Sequence, residues 1–229
     1  MFEDIGFTNI RTTHKPQPTT ITPLPRWFME RTLDGDSTYR RWLCRTYGTQ
    51  QAHRICHDYH VGGCEDHVIF WQVDIKGRVR TGKIMAYDEA TGRRCKGEGA
   101  VIDWVHTSMR REGLLPEGWE LTQCLYGEHL LSERPSSRVA VVEAYKTAHV
   151  GAILMPWMVW VAVDSMSGLT AERLRPLKGR DVVLFPDEGK GYQVWSEKIA
   201  AIAAEVGFSY RISSFMEGRE SGADIADLE

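Results

Sequence analysis

The chain has 229 residues, 42% of them apolar and 26% charged, which is close to ordinary globular usage, so a real core is expected. Its longest apolar stretch, Val150–Val163, is interrupted by Gly151 and Pro156 and stops at Asp164. That is short of the roughly eighteen uninterrupted residues of a membrane span, and it predicts a helix end, a turn and a buried strand. Net charge is −3, so no global excess of positive charge argues for a polyanionic partner, and charge has to be read segment by segment.

Five cysteines without paired spacing fit reduced thiols. The opening Met1-Phe2-Glu3-Asp4 lacks the basic and apolar regions of a secretory leader. Both point to a cytoplasmic protein with no membrane partner.

In chain order, residues 1–24 are Thr- and Pro-rich and predict a flexible arm. Trp27, Phe28, Leu33, Tyr39, Trp42 and Leu43 are spaced for two short helices interrupted at Gly35. From about 59 to 105 the pattern is antiparallel β, with the strand Val68–Val73, a turn at Asp74-Ile75-Lys76-Gly77 and a returning strand from Arg78. Val61-Gly62-Gly63 reads as a strand running into a hairpin turn. Cys124–Leu131 predicts a strand end and a short helix, and Ser132–Ser137 a loop near a subdomain boundary. Strand 139–143, helix 145–154, strand 157–163, strand 181–186, helix 191–205 and a strand near 208–213 then alternate, as in a parallel sheet. The expected fold class is α/β, a parallel sheet flanked by helices and preceded by a smaller α+β subdomain with antiparallel strands. The expected division is an arm over 1–24, an α+β subdomain over 25–133, a parallel-sheet domain over 134–215 and an acidic tail over 216–229.

Two of the apolar runs end in acids, Val139–Val142 at Glu143 and Val182–Phe185 at Asp187. Ligands of open parallel sheets bind beyond the carboxyl ends of the strands, so two carboxylates delivered there are candidates for a divalent cation. The plainer alternative is that each acid caps the turn that follows. Between Lys76 and Lys96, Lys76, Arg78, Arg80, Lys83, Arg93, Arg94 and Lys96 face only Asp88 and Glu89, a stretch suited to phosphate or simply to solvent. Glu217, Glu220, Asp224, Asp227 and Glu229 make the tail acidic, and it is expected to be partly disordered and to face elsewhere. Cys56, His60, Cys64 and His67 invite a zinc reading, but the spacing is not that of a zinc finger, so zinc is not expected.

Val141-Val142-Glu143-Ala144-Tyr145-Lys146-Thr147-Ala148, Val163-Asp164-Ser165-Met166-Ser167-Gly168-Leu169 and Val183-Leu184-Phe185-Pro186-Asp187 resemble, in order, the three motifs of a Toprim domain. Val68–Asp74 with Gly77-Arg78-Val79, and Leu125–Leu131, are similar to the segments preceding Toprim in bacterial DNA primases. The likeness covers roughly 60 to 205 and is of the kind found in primase-like proteins of Bacteroides mobile elements. It implies Mg²⁺- or Mn²⁺-dependent nucleotidyl or phosphoryl transfer on single-stranded DNA, with Glu143 in acid–base chemistry and with Asp187 and Glu143 at the metal. It also implies nucleotide or nucleic-acid contacts from Arg80, Lys83, Arg93, Arg94 and Lys146, and a phosphate loop at Ser165, Ser167 and Gly168. Expected partners are single-stranded DNA and nucleotides, with a replicative helicase or a separate zinc-bearing subunit. The family's Asp-x-Asp is Asp187-Glu188-Gly189 here, which leaves an inactive DNA-binding or scaffold module, or a Toprim nuclease, as alternatives.

Overall fold

The computed structural model describes residues 20–216, 218–219 and 223–227; most of the expected arm, and tail residues 217, 220–222 and 228–229, lie outside the described residues. Helices α1 (Arg26–Glu30), α2 (Thr38–Tyr47) and α3 (Thr49–Asp58) come first. Ser37 starts α2 by accepting the Arg40 amide on its hydroxyl, a cap that satisfies one of the orphan donors of the first turn. α3 was not anticipated, because its ten residues include only Ala52, Ile55 and Cys56 on the buried side, too sparse a stripe to stand out.

An antiparallel sheet follows, in the order β1 (Val61–Cys64), β2 (His67–Val73), β3 (Val79–Met85) and β4 (Ile102–Trp104). Gly62 and Gly63 pair within β1 rather than turning the chain. The hairpin turn is Glu65-Asp66, both in the left-handed region, a conformation open to short polar residues. Leu24 pairs with Val79 and is buried, so the last residue of the expected arm is part of the fold.

Helices α4 (Val105–Arg111) and α5 (Leu130–Glu133) connect to a second sheet made of β5 (Val139–Val142), β6 (Val159–Ala162), β7 (Asp181–Leu184) and β8 (Ser209–Ile212). Its spatial order is β6-β5-β7-β8 and every pairing is parallel. Helices α6 (Tyr145–Leu154), α7 (Ala171–Leu174) and α8 (Lys190–Val206) make the crossovers. The α/β class with a separate antiparallel sheet is thus what the apolar runs predicted. All four residues of β5 and of β6 are buried, as strands covered on both faces must be.

One apolar core runs through both halves: Phe70 and Met85 of the antiparallel sheet share it with Trp160, Leu184 and Trp195. Alternation along β2 sends Val68 and Phe70 into that core, and Ile69, Trp71 and Val73 into a smaller one with Leu24 and Met29. Trp71 and Tyr87 are core residues. Among the described residues no helix is long and apolar enough to cross a membrane.

Candidate functional site

The carboxyl edge of the parallel sheet faces a cleft of 480 Å³ whose other wall comes from the end of β3 and the turn after it. Asp164, Asp187, Asp224 and Asp227 line it together with Lys83, Arg93, Arg94, Lys96 and Lys146, and Lys83 is paired with Asp164. Opposed charge of this kind can take an anionic ligand together with a cation.

Glu143 follows β5 directly and is half-buried. Its carboxylate lies against Gly191 in the first turn of α8, where a Cβ would stand 2.6 Å from Oε1. Burial raises its pKa, the Met166 amide hydrogen bond opposes that rise, and Asp224 adds to it. Asp187, three residues past β7, has its Oδ1 buried with no hydrogen-bond partner. Burial and then the charges of Glu143, Asp224 and Asp227 push its pKa up to about 8. A buried, orphaned carboxylate oxygen among other acids is a position that a cation would satisfy. The donors fit magnesium, a hard ion that binds oxygen and makes do with one or two carboxylates plus water and phosphate. Among the described residues no group of three or more His, Cys, Asp and Glu side chains is arranged to hold a metal directly, so water would have to complete the shell.

Asp164 is a site residue that sequence reasoning passed over in favour of the serines beside it. It ends β6 at φ 74°, a strained backbone for a residue other than glycine. Lys83 Nζ donates to its Oδ1 at 2.6 Å, and the Tyr145 hydroxyl donates to it as well. Its only advance signal was an Asp at a strand end ahead of a glycine-bearing loop.

The residues expected to meet phosphate divide. Lys83, Arg93 and Arg94 reach the cleft, as does Lys146, whose Nζ lies 4.4 Å from the Trp42 ring centroid. Arg80 does not. It is buried, its Nε donating to Asp74 Oδ2 at 2.9 Å and its Nη1 to the Thr122 carbonyl at 3.0 Å. The expectation for Arg80 is corrected: strand alternation turns it away from the cleft and into an internal ion pair.

In the loop after β6, the Gly168 amide is bonded to the Ser165 carbonyl at 2.8 Å and the Met166 amide to Glu143, so two of the donors proposed for phosphate are already engaged. Ser165 and Ser167 join hydroxyls at 3.0 Å, beside a separate recess of 230 Å³ that Asp164 also lines. Of the four zinc candidates, Cys56 is buried in the core, Cys64 is exposed at the end of β1, and His60 stacks on His129 with centroids 4.5 Å apart.

Two of the tail's acids, Asp224 and Asp227, line the cleft rather than face elsewhere. Residues 223–227 return to the cleft, with Ile225 and Ala226 buried and Asp224 held by the Thr147 hydroxyl at 2.5 Å.

No curated protein sequence matches the chain. Among solved structures it is similar to a DnaG catalytic core, with a TM-score of 0.56 and 14% identity over 89% of this chain and 73% of that one. A DnaG primase catalytic domain bound to single-stranded DNA gives a TM-score of 0.53 and 13% identity over 88% and 73%. At such identity the likeness is one of fold, and it supports the primase-like resemblance at that level. A family model described as a domain of unknown function, DUF6371, matches residues 37–188, and the chain belongs to that family.

Proposed function

We propose that the protein is a primase-type nucleotidyltransferase acting on single-stranded DNA in the replication of a mobile element, with Mg²⁺ or Mn²⁺ as cofactor. The observation that carries this reading is the cleft itself, where Asp187, with its buried, unpartnered Oδ1 and with Glu143 close behind it, shares the lining with Lys83, Arg93, Arg94 and Lys146. A divalent ion held by Asp187 and Glu143 would offset the charge that builds on the phosphate oxygens during transfer. Arg93, Arg94 and Lys146 bind the triphosphate or the template backbone. Glu143, with its raised pKa, is suited to take the proton of the attacking hydroxyl on a carboxylate oxygen that Met166 and Gly191 position. The Ser165–Gly168 loop serves mainly to orient Glu143.

Incubation with single-stranded DNA, labelled ribonucleotides and Mn²⁺ tests this reading. Template-dependent extension supports it, and loss of extension in Glu143→Gln ties it to the site. Shortened DNA would instead indicate a nuclease using the same carboxylates.

A binding module without turnover is the second reading, and Gly189 favours it. Its backbone, at φ 92° and ψ −123°, lies where only glycine is comfortable, so an aspartate cannot simply be restored there. DNA binding that Glu143→Gln leaves unchanged, with neither extension nor cleavage, would establish that reading.

A further inference from the structure

We propose that Trp42 is a positioning residue of the cleft: its buried indole seats the Lys146 ammonium in register with Arg93 and Arg94, so that cations from two separate segments meet neighbouring phosphates of one ligand. The proposal rests on the reading of the cleft as a site for a nucleotide or a DNA strand, and it adds what arranges the positive charge there.

Three observations carry it. First, Lys146 lines the cleft while its Nζ lies over the ring of Trp42, a core residue of α2, 4.4 Å from the ring centroid. The negative face of an indole attracts an ammonium, which still has hydrogens to donate away from the ring. Second, the ring is held in place. Trp42 is buried and packs on Tyr39 and Tyr47, with ring centroids 5.4 and 5.8 Å away. Gly92 closes on it so tightly that a Cβ there would overlap Cε2 and Nε1 of the indole.

Third, that same contact sets the register. Gly92 directly precedes Arg93 and Arg94, and all three line the cleft with Lys146. Their turn is bound to α2, the helix that carries Trp42. Arg41 Nε donates to Glu89 Oε2 at 2.7 Å, and Thr38 Oγ1 donates to the Tyr87 carbonyl at 2.6 Å. Lys146 arrives from α6, a distant part of the chain, and meets the turn at the indole. A lysine stem left loose would have to be ordered when a phosphate arrived, and that ordering costs affinity. Held on the ring, Lys146 is ordered before the ligand binds.

Truncating a core tryptophan would disturb the fold, so the test keeps the shape of the ring. Tryptophans carrying one, two and three ring fluorines, built in at position 42 alone, drain the negative face with little change in packing. The full chain is titrated, with Mg²⁺ present, against adenosine triphosphate and separately against a fluorescein-labelled oligothymidylate. Affinity is expected to fall stepwise with fluorination, by about fivefold for the trifluorinated ring, and to stay level across the series in a Lys146→Met background. A fall seen with adenosine triphosphate assigns the contact to a triphosphate, and one seen with the oligonucleotide assigns it to a DNA backbone; either supports the proposal. If Lys146→Met or Arg93→Ala weakens binding but the fluorine series is flat, or falls as far with Lys146→Met as without it, the role of Trp42 is overturned and the cleft stands. If the wild type binds neither probe, or neither Lys146→Met nor Arg93→Ala weakens binding, the reading of the cleft fails and takes this proposal with it.

Discussion

Lys83 Nζ stands 2.6 Å from Asp164 Oδ1, an ion pair that ties β3 of the antiparallel sheet to the end of β6 in the parallel one. The pair is 14% and 18% exposed, so it is largely out of water. Lys83 also lies 5.5 Å from the ring centroids of Trp104 and Tyr145. Asp164 holds a left-handed backbone in this arrangement, and strain at a cleft is kept only where the surroundings enforce it.

Lys83→Met removes the charge and keeps most of the stem. It is expected to cost about 2 kcal/mol in urea unfolding, the scale of a lost hydrogen bond to a charged group. Lost priming should appear with it, because Asp164 and the two walls of the cleft move together. A variant as stable as the wild type would show that the pair does not hold the walls.

Arg80 and the cleft arginines should behave oppositely. Arg80→Ala leaves Asp74 short of a partner in a buried setting and should lose about 3 kcal/mol of stability. Arg93→Ala and Arg94→Ala should leave the melting temperature unchanged, weaken single-stranded DNA binding, and reduce the slope of log K against log salt by about 0.7 each. A stable Arg80→Ala with weakened DNA binding would reverse the assignment.

Gly191→Ala separates stability from chemistry. Alanine near a helix start is ordinarily favourable by up to about 1 kcal/mol over glycine. Here the new Cβ would meet Glu143 Oε1 at 2.6 Å, and that flexible carboxylate end is what would move. The variant is expected to unfold no earlier than the wild type and to lose most of its extension activity. Full activity would show that Glu143 does not need its place against α8.

His149 sets an acid limit. It is fully buried, with Tyr126 Oη at 2.8 Å from Nε2 and Tyr39 Oη at 2.8 Å from Nδ1. Tyr126 Oη donates to the Tyr59 carbonyl at 3.3 Å, so it accepts from Nε2–H, and Tyr39 donates to Nδ1. Burial lowers the pKa from 6.5 to about 3. A depressed folded-state value for a base means stability that is complete above pH 6.5 and drains away as pH falls toward 3. Denaturant midpoints across that window should fall, and they should fall less steeply in His149→Gln.

Glu128 works in the other direction. Its oxygens accept from the Ile75 amide at 2.9 Å and the Leu125 amide at 3.1 Å, while burial raises its pKa from 4.5 to about 7. A raised carboxyl means stability that is complete below pH 4.5 and lost as pH rises through about 7. Glu128→Gln turns an amide group toward the Leu125 donor, at a cost of about 1–3 kcal/mol. That deficit should be smaller at pH 8 than at pH 5, and a deficit independent of pH would refute the assignment.

Much of the fold could be read locally. The buried runs Val139–Val142 and Val159–Ala162 carry their own evidence of burial on both faces, and Gly207 and Gly77 fall where the chain stops or turns. The ordered likeness of motifs pointed to the primase-like fold that the structure shows. The apolar stripe of α3 is too thin to stand out, and Gly62-Gly63 reads as a turn although it sits in a strand, where a Cβ would run into Thr32 at one position and into the Gly35 and Asp36 carbonyls at the other.

The sequence by itself determined that acids follow apolar strands at Glu143, Asp164 and Asp187, since a strand and the residue ending it are neighbours in the chain. Tertiary structure alone decided that Lys83 reaches Asp164 and that Asp224 comes home to Thr147. Those contacts join residues far apart in sequence, and no local periodicity encodes them. They exist because burying the two sheets and the tail in one apolar core leaves these charges a single place to meet.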